Sequence, residues 1–503
     1  MKKHYFAKKV LLACLLFFMT ITTNVFAQVG IGTITPNPSS VLDVSSTTQG
    51  MLTPRMTTAQ RVAIVSPADG LMVYDTDLKT FYHYSSLITS WNVINSGTNG
   101  RSKFKRIKSV GDLVAEKSAG NELKYLLDAT TLYEINGTVM VDLPIELNNA
   151  YVTGFDSAED KLVKASGDLF VGTTGGSIRG LTLVASAGKV FNITGPEAIG
   201  AQTQNLILRD GVIANSADVG LIKGFSLVFV SIIQYVGNAK GIIYQDIKKL
   251  LINNAGWFGG SSPLGNSGTY ETIQGTFDLV QKQGGFSEVT GSNIGFDVSL
   301  DPIITGDAVM ESVVFTGVLS GAEAVSGAGA YVKPYTNGSY TGYNFNDRWN
   351  VRCAGIPTET DLSAVGNINF NYTVAVPSPT VLTGTTAKKV DGLTTSDDLF
   401  RFAKVGDNRI TYSGSKRRFF RVGGSISFQT TANNTTFVFY IAKNGLLIDK
   451  SKVFVRSSVA DDVIALSIQT LVELTTTDYV ELWVARVAGT GDVNIASVNL
   501  SAN

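Results

Sequence analysis

The chain has 503 residues, with 41 Lys+Arg against 41 Asp+Glu, 51 glycines, two cysteines, two histidines and only 16% charged residues. Zero net charge gives no electrostatic case for a nucleic acid or an acidic membrane as partner. Few charges beside abundant Gly, Thr, Ser, Val and Asn point to an all-β, turn-rich protein, and the length points to two to four domains.

Residues 1–27 read as a signal peptide. Lys2, Lys3, Lys8 and Lys9 form a basic start, and VLLACLLFFMTIT is an apolar core too short to span a bilayer comfortably. Val25-Phe26-Ala27 places small residues for cleavage before Gln28. An uncleaved anchor, or lipidation at Cys14, are the alternative readings. After cleavage Cys353 and His83 are the only residues of their types. That excludes an intrachain disulfide, a His-rich zinc site and HExxH chemistry, and any nucleophile–His pair must use His83. Neither a GxxxxGK[ST] loop nor a dinucleotide fingerprint occurs.

Residues 28–100 read as an N-terminal module followed by a linker. Short strands at Leu71–Tyr74 and Phe81–Tyr84 flank the turn Asp75-Thr76-Asp77, and SGTNG at 96–100 is the linker. The matching features are Gly30-Ile31-Gly32-Thr33, Pro36, Leu42-Asp43-Val44, Gly50, Pro54-Arg55-Met56-Thr57, Arg61, Gly70 to Thr76 and Trp91. With these the stretch resembles an N-terminal module of secreted Bacteroidota proteins and of their phages' tail fibres. The resemblance implies attachment to a virion or cell envelope.

Residues 101–260 read as a parallel β-helix-like domain. The basic run RSKFKRIK (101–108) opens it and is read as a solvated first turn or strand edge. Leu206 and Leu250 lie 44 residues apart, as do Gly180 of SIRGLTL and Gly224 of LIKGFSL. A coil of about 22 residues follows, each coil stacking on the last because one alone cannot bury its apolar face. On this reading SIRGLTL and LIKGFSL are successive layers of one stack, with Gly180 and Gly224 at a recurring bend and Arg179 and Lys223 outside. A sandwich with regularly spaced strands is the competing reading.

Residues 261–390 are expected as an irregular Gly-rich β region. Tyr335, Tyr340, Tyr343, Phe345 and Trp349 are read there as core or subunit interface rather than a sugar-stacking surface. Residues 391–503 alternate most clearly: TTFVFYIA, a tight hairpin at Lys443-Asn444-Gly445, VFV, VIAL, TTDYVELWV and VNIA. About eight antiparallel strands fit a jelly-roll sandwich. The order AKNG, TTDYVELWV, a Gly turn and a final strand resembles the tumour-necrosis-factor-like terminal domains of phage tail fibres. That resemblance implies a homotrimer with receptor-binding loops.

The expected whole is an all-β chain: attachment segment, β-helix-like middle and jelly-roll end, a homotrimeric fibre protein of tail-fibre or adhesin type. Its partners are itself and a cell-surface glycan or protein receptor, not nucleic acid. It is placed outside the cell or on its surface, with a virion as the alternative. A tailspike-type lyase or hydrolase would need two or three carboxylates in a groove. Asp156, Glu159, Asp210 and Asp246 are the candidates, but none repeats at coil spacing and Asp210-Gly211 reads as a turn. No catalytic, metal, cofactor or ligand residue is assigned, no cofactor is expected, and a passive envelope protein shares the same features. The run Lys416-Arg417-Arg418-Phe419-Phe420-Arg421 is read as alternate in/out residues of a strand rather than a ligand contact.

Overall fold

The computed structural model describes residues 2–19, 28–94, 103–260, 265–320, 329–337 and 343–503, in two compact units, 1–102 and 103–503. The expected cleavage site before Gln28, the linker 96–100, Arg101 and Tyr340 lie outside the described residues. In the first unit Lys2–Met19 is helical, and no described helix is long and apolar enough to cross a membrane. Val29–Ile31 pairs in parallel with Leu42–Val44. Arg55–Met56, Met72–Asp75, Thr80–Ser85 and Ser90–Val93 form a four-stranded sheet, and Thr58–Val62 is a one-turn helix with Thr57 as its cap. Several residues that carry the sequence resemblance meet here. Buried Asp75 accepts from Arg61 Nε at 3.0 Å and from Thr58 Oγ1 at 2.8 Å, and the Arg61 guanidinium lies 3.8 Å from the Tyr82 ring and 5.6 Å from that of Trp91.

From Phe104 to Ala354 the described residues of the second unit form a parallel β-solenoid, two ladders of 13 and 9 strands that the chain visits in alternation. Each coil has three faces. The first runs through Leu132–Ile135, Tyr151–Thr153 and Gly176–Arg179 into the front halves of Asn205–Ala214, Leu227–Val236, Lys249–Trp257, Thr276–Glu288 and Ile303–Thr316. The second runs through Thr138–Met140, Lys161–Lys164 and Thr182–Ala185 into the back halves of those long strands. The third runs from Tyr125–Leu126 to Ala330–Lys333. The expected 44-residue spacing is two coils: Leu206 stacks on Val228 and Val228 on Leu250, all fully buried. The ladder continues through Val280 and Ala308 to Trp349, with more residues per coil.

SIRGLTL and LIKGFSL are not successive layers of one face. Ser177–Arg179 belongs to the first face, paired with Tyr151–Thr153 and Ile207–Arg209, whereas Leu221–Lys223 belongs to the third, paired with Asn192–Thr194 and Ile243–Gln245. The 44-residue match arises because both motifs end a face and turn a corner. Gly180 stacks on Gly154 and Gly224 on Gly195, each with a left-handed backbone, φ +65° and +76°.

Residues 364–503 build a separate two-sheet antiparallel sandwich. One sheet has the order Leu399–Phe400, Val365–Asn371, Val493–Ala502, Arg418–Thr430, Ile464–Leu474. The other has Phe402–Lys404, Ile410–Tyr412, Tyr479–Ala488, Thr435–Lys443, Leu446–Leu447, with Val453–Ser457 also on Thr435–Lys443. Inward side chains such as Ile368, Phe420, Phe428, Phe439, Leu482 and Leu500 fill its core. The expected hairpin at Lys443-Asn444-Gly445 is present, with positive φ at Asn444 (+51°) and Gly445 (+76°). The stretch 261–390, expected as irregular, divides between the two: Thr269 to Ala354 continues the solenoid ladders, and Val365 onward builds the sandwich. Glycine obscured the ladders there, because Gly295, Gly306 and Gly366 lie inside strands, where their lack of a side chain breaks the apolar alternation. Tyr335, Phe345 and Trp349 are core residues of the last coils, and the Tyr343 ring stacks on Phe400 at 4.0 Å.

Candidate functional site

The corner between the first and second faces positions the site. Arg179, Arg209, Ser231, Asn253, Gln283 and Glu311 stack in register, and the residue after each adopts a left-handed backbone. These are Gly180, Asp210, Ile232, Asn254, Gly284 and Ser312, with φ between +50° and +65°. One left-handed residue bends the strand while its ladder continues on the next face. The corner after the third face repeats the device at Gly224, Asp246 and Gly275.

Both corners share a charge rule. Arg179 precedes its left-handed Gly and its Nε reaches Asp210, the corner residue of the next coil, at 3.0 Å. Lys223 does the same to Asp246 at 3.9 Å. Aspartate is among the residues that tolerate a left-handed backbone, and Asp246 Oδ1 reaches the next coil to accept the Thr276 amide at 3.0 Å. The basic–Gly motif is therefore one half of a corner ion pair. Asp210 is a bend, as its Gly neighbour suggested.

Beside the first corner lies an open cleft of about 740 Å³ lined by Thr153 to Ser157, Arg179, Gly180 and Asp210. It brings together Asp156, Asp210 and Arg179, all singled out in the sequence. The cleft wall is the turn 154–160, organised by buried Asp160, whose carboxylate accepts the amides of Gly137 (2.8 Å), Phe155 (2.7 Å) and Asp156 (2.9 Å). Burial acts to raise the Asp160 pKa, but those three amides outweigh it and hold the carboxyl below its usual range. Asp156 Oδ1 accepts the Ala158 amide at 2.8 Å. At the tip Phe155 is 96% exposed. Sequence patterning gave no sign of it, because an isolated Phe in a polar turn matches neither strand nor helix periodicity. Glu159 is exposed and does not line the cleft, and Asp246 sits at the other corner.

A second cavity, about 430 Å³, lies where the last coil meets the sandwich. Lys416, Arg417 and Arg418 line it opposite Glu311, Asn350 and Arg352, with Thr358, Thr360 and Ser363 between. Its cations are paired: Arg352 with Glu311 at 2.7 Å, Arg417 with Glu473 at 2.9 Å and Lys416 with Asp307 at 3.4 Å. From Arg418 the run alternates as expected, Phe420 inward in the core and Phe419 outward at 60% exposure. The other basic run is also ion-paired, Lys103 with Asp128, Lys105 with Glu116 and Arg106 with Glu134. Among the described residues no group of three or more His, Cys, Asp or Glu could hold a metal ion.

Residues 30–106 match a family model described as the phage tail-like trimerisation region. No curated protein matches the chain in sequence. Among solved structures, PRD1 vertex protein P5 is similar at 12% identity over 28% of this chain and 95% of its own, with a TM-score of 0.19. The enzymatically active domain of tailspike protein 4 of bacteriophage CBA120 is similar at 9% identity over 90% of this chain and 77% of its own, with a TM-score of 0.20. At these scores neither likeness carries an argument about fold or ligand. The match over residues 30–106 supports a phage tail-type protein that self-associates through its N-terminal region.

Proposed function

We propose that the protein is a homotrimeric fibre of tail-fibre type that attaches to a cell-surface glycan, its first unit assembling and anchoring three copies and its second unit making contact. The observation that carries the trimer is the apolar surface of the first unit. Ile34, Val41, Leu52, Val65 and Leu87 are each at least 81% exposed, while Val73 and Tyr82 are buried. A segment this short cannot bury such side chains by itself, and packing against further copies removes them from water. The family match over the same residues agrees. Light scattering on the full chain tests it: three copies per particle are expected, and a stable monomer sinks the reading.

The sandwich supports the terminal-domain part of the proposal: its two antiparallel sheets close on one apolar core and set its first strand, Val365–Asn371, beside its last, Val493–Ala502. For the glycan, the cleft beside Phe155 offers an exposed ring for stacking on a sugar face. Asp156, Arg179 and Asp210 around it can bond to hydroxyls. Phe155→Ala should abolish retention on immobilised host glycan while leaving the trimer intact. Residues 1–27 fit an export signal within the same proposal, and the N-terminal residue of the purified protein tests it. A second reading rests on Asp156 and Asp210 lining one cleft, which is the minimum for acid–base cleavage of a polysaccharide. Release of reducing or unsaturated ends by the wild type, lost in Asp156→Asn, would establish it over simple binding.

A further inference from the structure

The solenoid interior contains a charge pair that the attachment reading does not use. Lys282 occupies an inward position of the first-face ladder, between Ile252 below and Met310 above. Glu271 occupies an inward position of the third-face ladder, between Ile242 and Phe296. Both replace an apolar residue in the same coil, and both side chains are 0% exposed. Lysine and glutamate are almost never fully buried, and a buried ion pair recovers its desolvation cost only with good geometry and further hydrogen bonds. Here Nζ and Oε2 are 2.6 Å apart, yet neither atom has a hydrogen-bond partner. The approach is close without being a donor–acceptor alignment.

The surroundings suit a reaction between the two. Trp257 Nε1 donates to the other carboxylate oxygen, Glu271 Oε1, at 3.1 Å. The indole is itself fixed in a stack, 3.8 Å from the Tyr235 ring and 5.1 Å from that of Tyr270. The hydroxyls of Tyr235 and Tyr244 are buried and without a partner. Burial, with the Glu271 charge adding to it, pushes both phenols well above their usual pKa, so they remain protonated beside the pair.

We propose that Lys282 and Glu271 condense to an isopeptide bond inside the solenoid. A proton passes from the Lys282 ammonium to Glu271 Oε2, leaving a neutral amine and a carboxylic acid. The Nζ lone pair attacks Cδ, and negative charge developing on Oε1 is held by the Trp257 N–H. The C–Oε2 bond then breaks, the oxygen leaving as water with the second proton from nitrogen. The products are one amide and one water, with no oxidant or co-reactant. The amide removes a buried ammonium without a hydrogen bond and a buried carboxylate whose Oε2 has none, and it ties the third face of the coil to the first.

Mass spectrometry of proteolytic peptides from the full-length protein tests this. The peptides containing Glu271 and Lys282 should be recovered as one branched species, lighter than their sum by one water. Lys282→Met, which keeps an unbranched side chain, should return separate peptides at full mass. The double variant Lys282→Met with Glu271→Leu should do the same and avoids an unpaired buried carboxylate. Trp257→Phe keeps the stack but removes the donor, and linkage in freshly made protein should be at least about tenfold slower. Separate, full-mass peptides from the wild type would overturn the proposal, as would a water loss that persists in Lys282→Met.

Discussion

Single residues at the corners carry much of the local logic of the solenoid. Five of the six left-handed positions at the first corner hold Gly, Asp, Asn or Ser, and the remaining one is Ile232 at φ +54°. A β-branched residue there brings Cβ close to the following carbonyl, at a cost of roughly 1–2 kcal/mol. Ile232 is 48% exposed, so shortening it forfeits little burial. Ile232→Asn should therefore stabilise the protein by about 1 kcal/mol, seen as a higher urea midpoint; a lower midpoint would mean that Ile232 packs in a way its exposure does not show. At the sandwich hairpin, Asp478 accepts from Lys443 Nζ at 2.8 Å, Asn444 Nδ2 at 2.7 Å and the Thr475 amide at 2.8 Å. Burial acts to raise its pKa, but these bonds win and hold it well below the usual carboxylate range. A depressed folded pKa contributes stability that is complete above the unfolded value of about 4 and is lost as pH falls below it. Urea midpoints of wild type and Asp478→Asn should thus differ clearly at neutral pH and converge in acid. A gap independent of pH would show that Asp478 acts through shape alone.

At the scale of elements, what could be read in the sequence was whatever repeats along one ladder. Leu206, Val228 and Leu250 recur at a constant spacing because no loop interrupts those two coils, so the β-helix was legible from them. Past Trp257 the coils grow longer and the period dissolves, so the sequence shows no regular spacing up to Ala354. The basic–Gly motif was legible as a bend but not as one of two different corners, since sequence alone does not say which face a strand joins. The cleft was half visible: Asp156, Asp210 and Arg179 stood out, while Phe155 and the buried Lys282–Glu271 pair did not, as neither isolated aromatics nor inward charges follow a pattern. Glycine in these elements has a steric meaning that can be tested. A Cβ on Gly285 would lie 2.1 Å from the Ala255 carbonyl oxygen of the coil below, at a φ of +78°. Both the backbone and its ladder partner resist, so Gly285→Ala should cost about 2–4 kcal/mol in chemical denaturation. A near-neutral result would show that the stacked coils can separate locally.

Over the whole molecule, two cores make different demands on the chain, and a truncation distinguishes them. The sandwich core spans Ala364 to Ala502, so its first strand lies well before residue 391, where the sequence alternation becomes obvious. That strand, Val365–Asn371, pairs with Val493–Ala502 through Gly366 to Asn371 and buries Ile368 and Phe370 completely or nearly so. A chain starting at 391 lacks it and also Ser378–Thr380, which pairs with Val493 to Ile495, so Val493–Ala502 becomes an open edge over an uncovered apolar core, which invites association in the wrong register. A fragment of residues 358–503 keeps the strand and loses only the junction with the last coil. There Arg401 is fully buried, donates to the Trp349 carbonyl and leaves Nε and Nη1 without hydrogen-bond partners. Cutting the junction exposes that guanidinium to water, which satisfies it. The 358–503 fragment should therefore melt cooperatively and, if the terminal domain trimerises by itself, sediment as three copies. The 391–503 fragment should aggregate or lack a cooperative transition. Equal melting temperatures for the two fragments would mean that Val365–Asn371 is an accessory to the sandwich rather than part of its core.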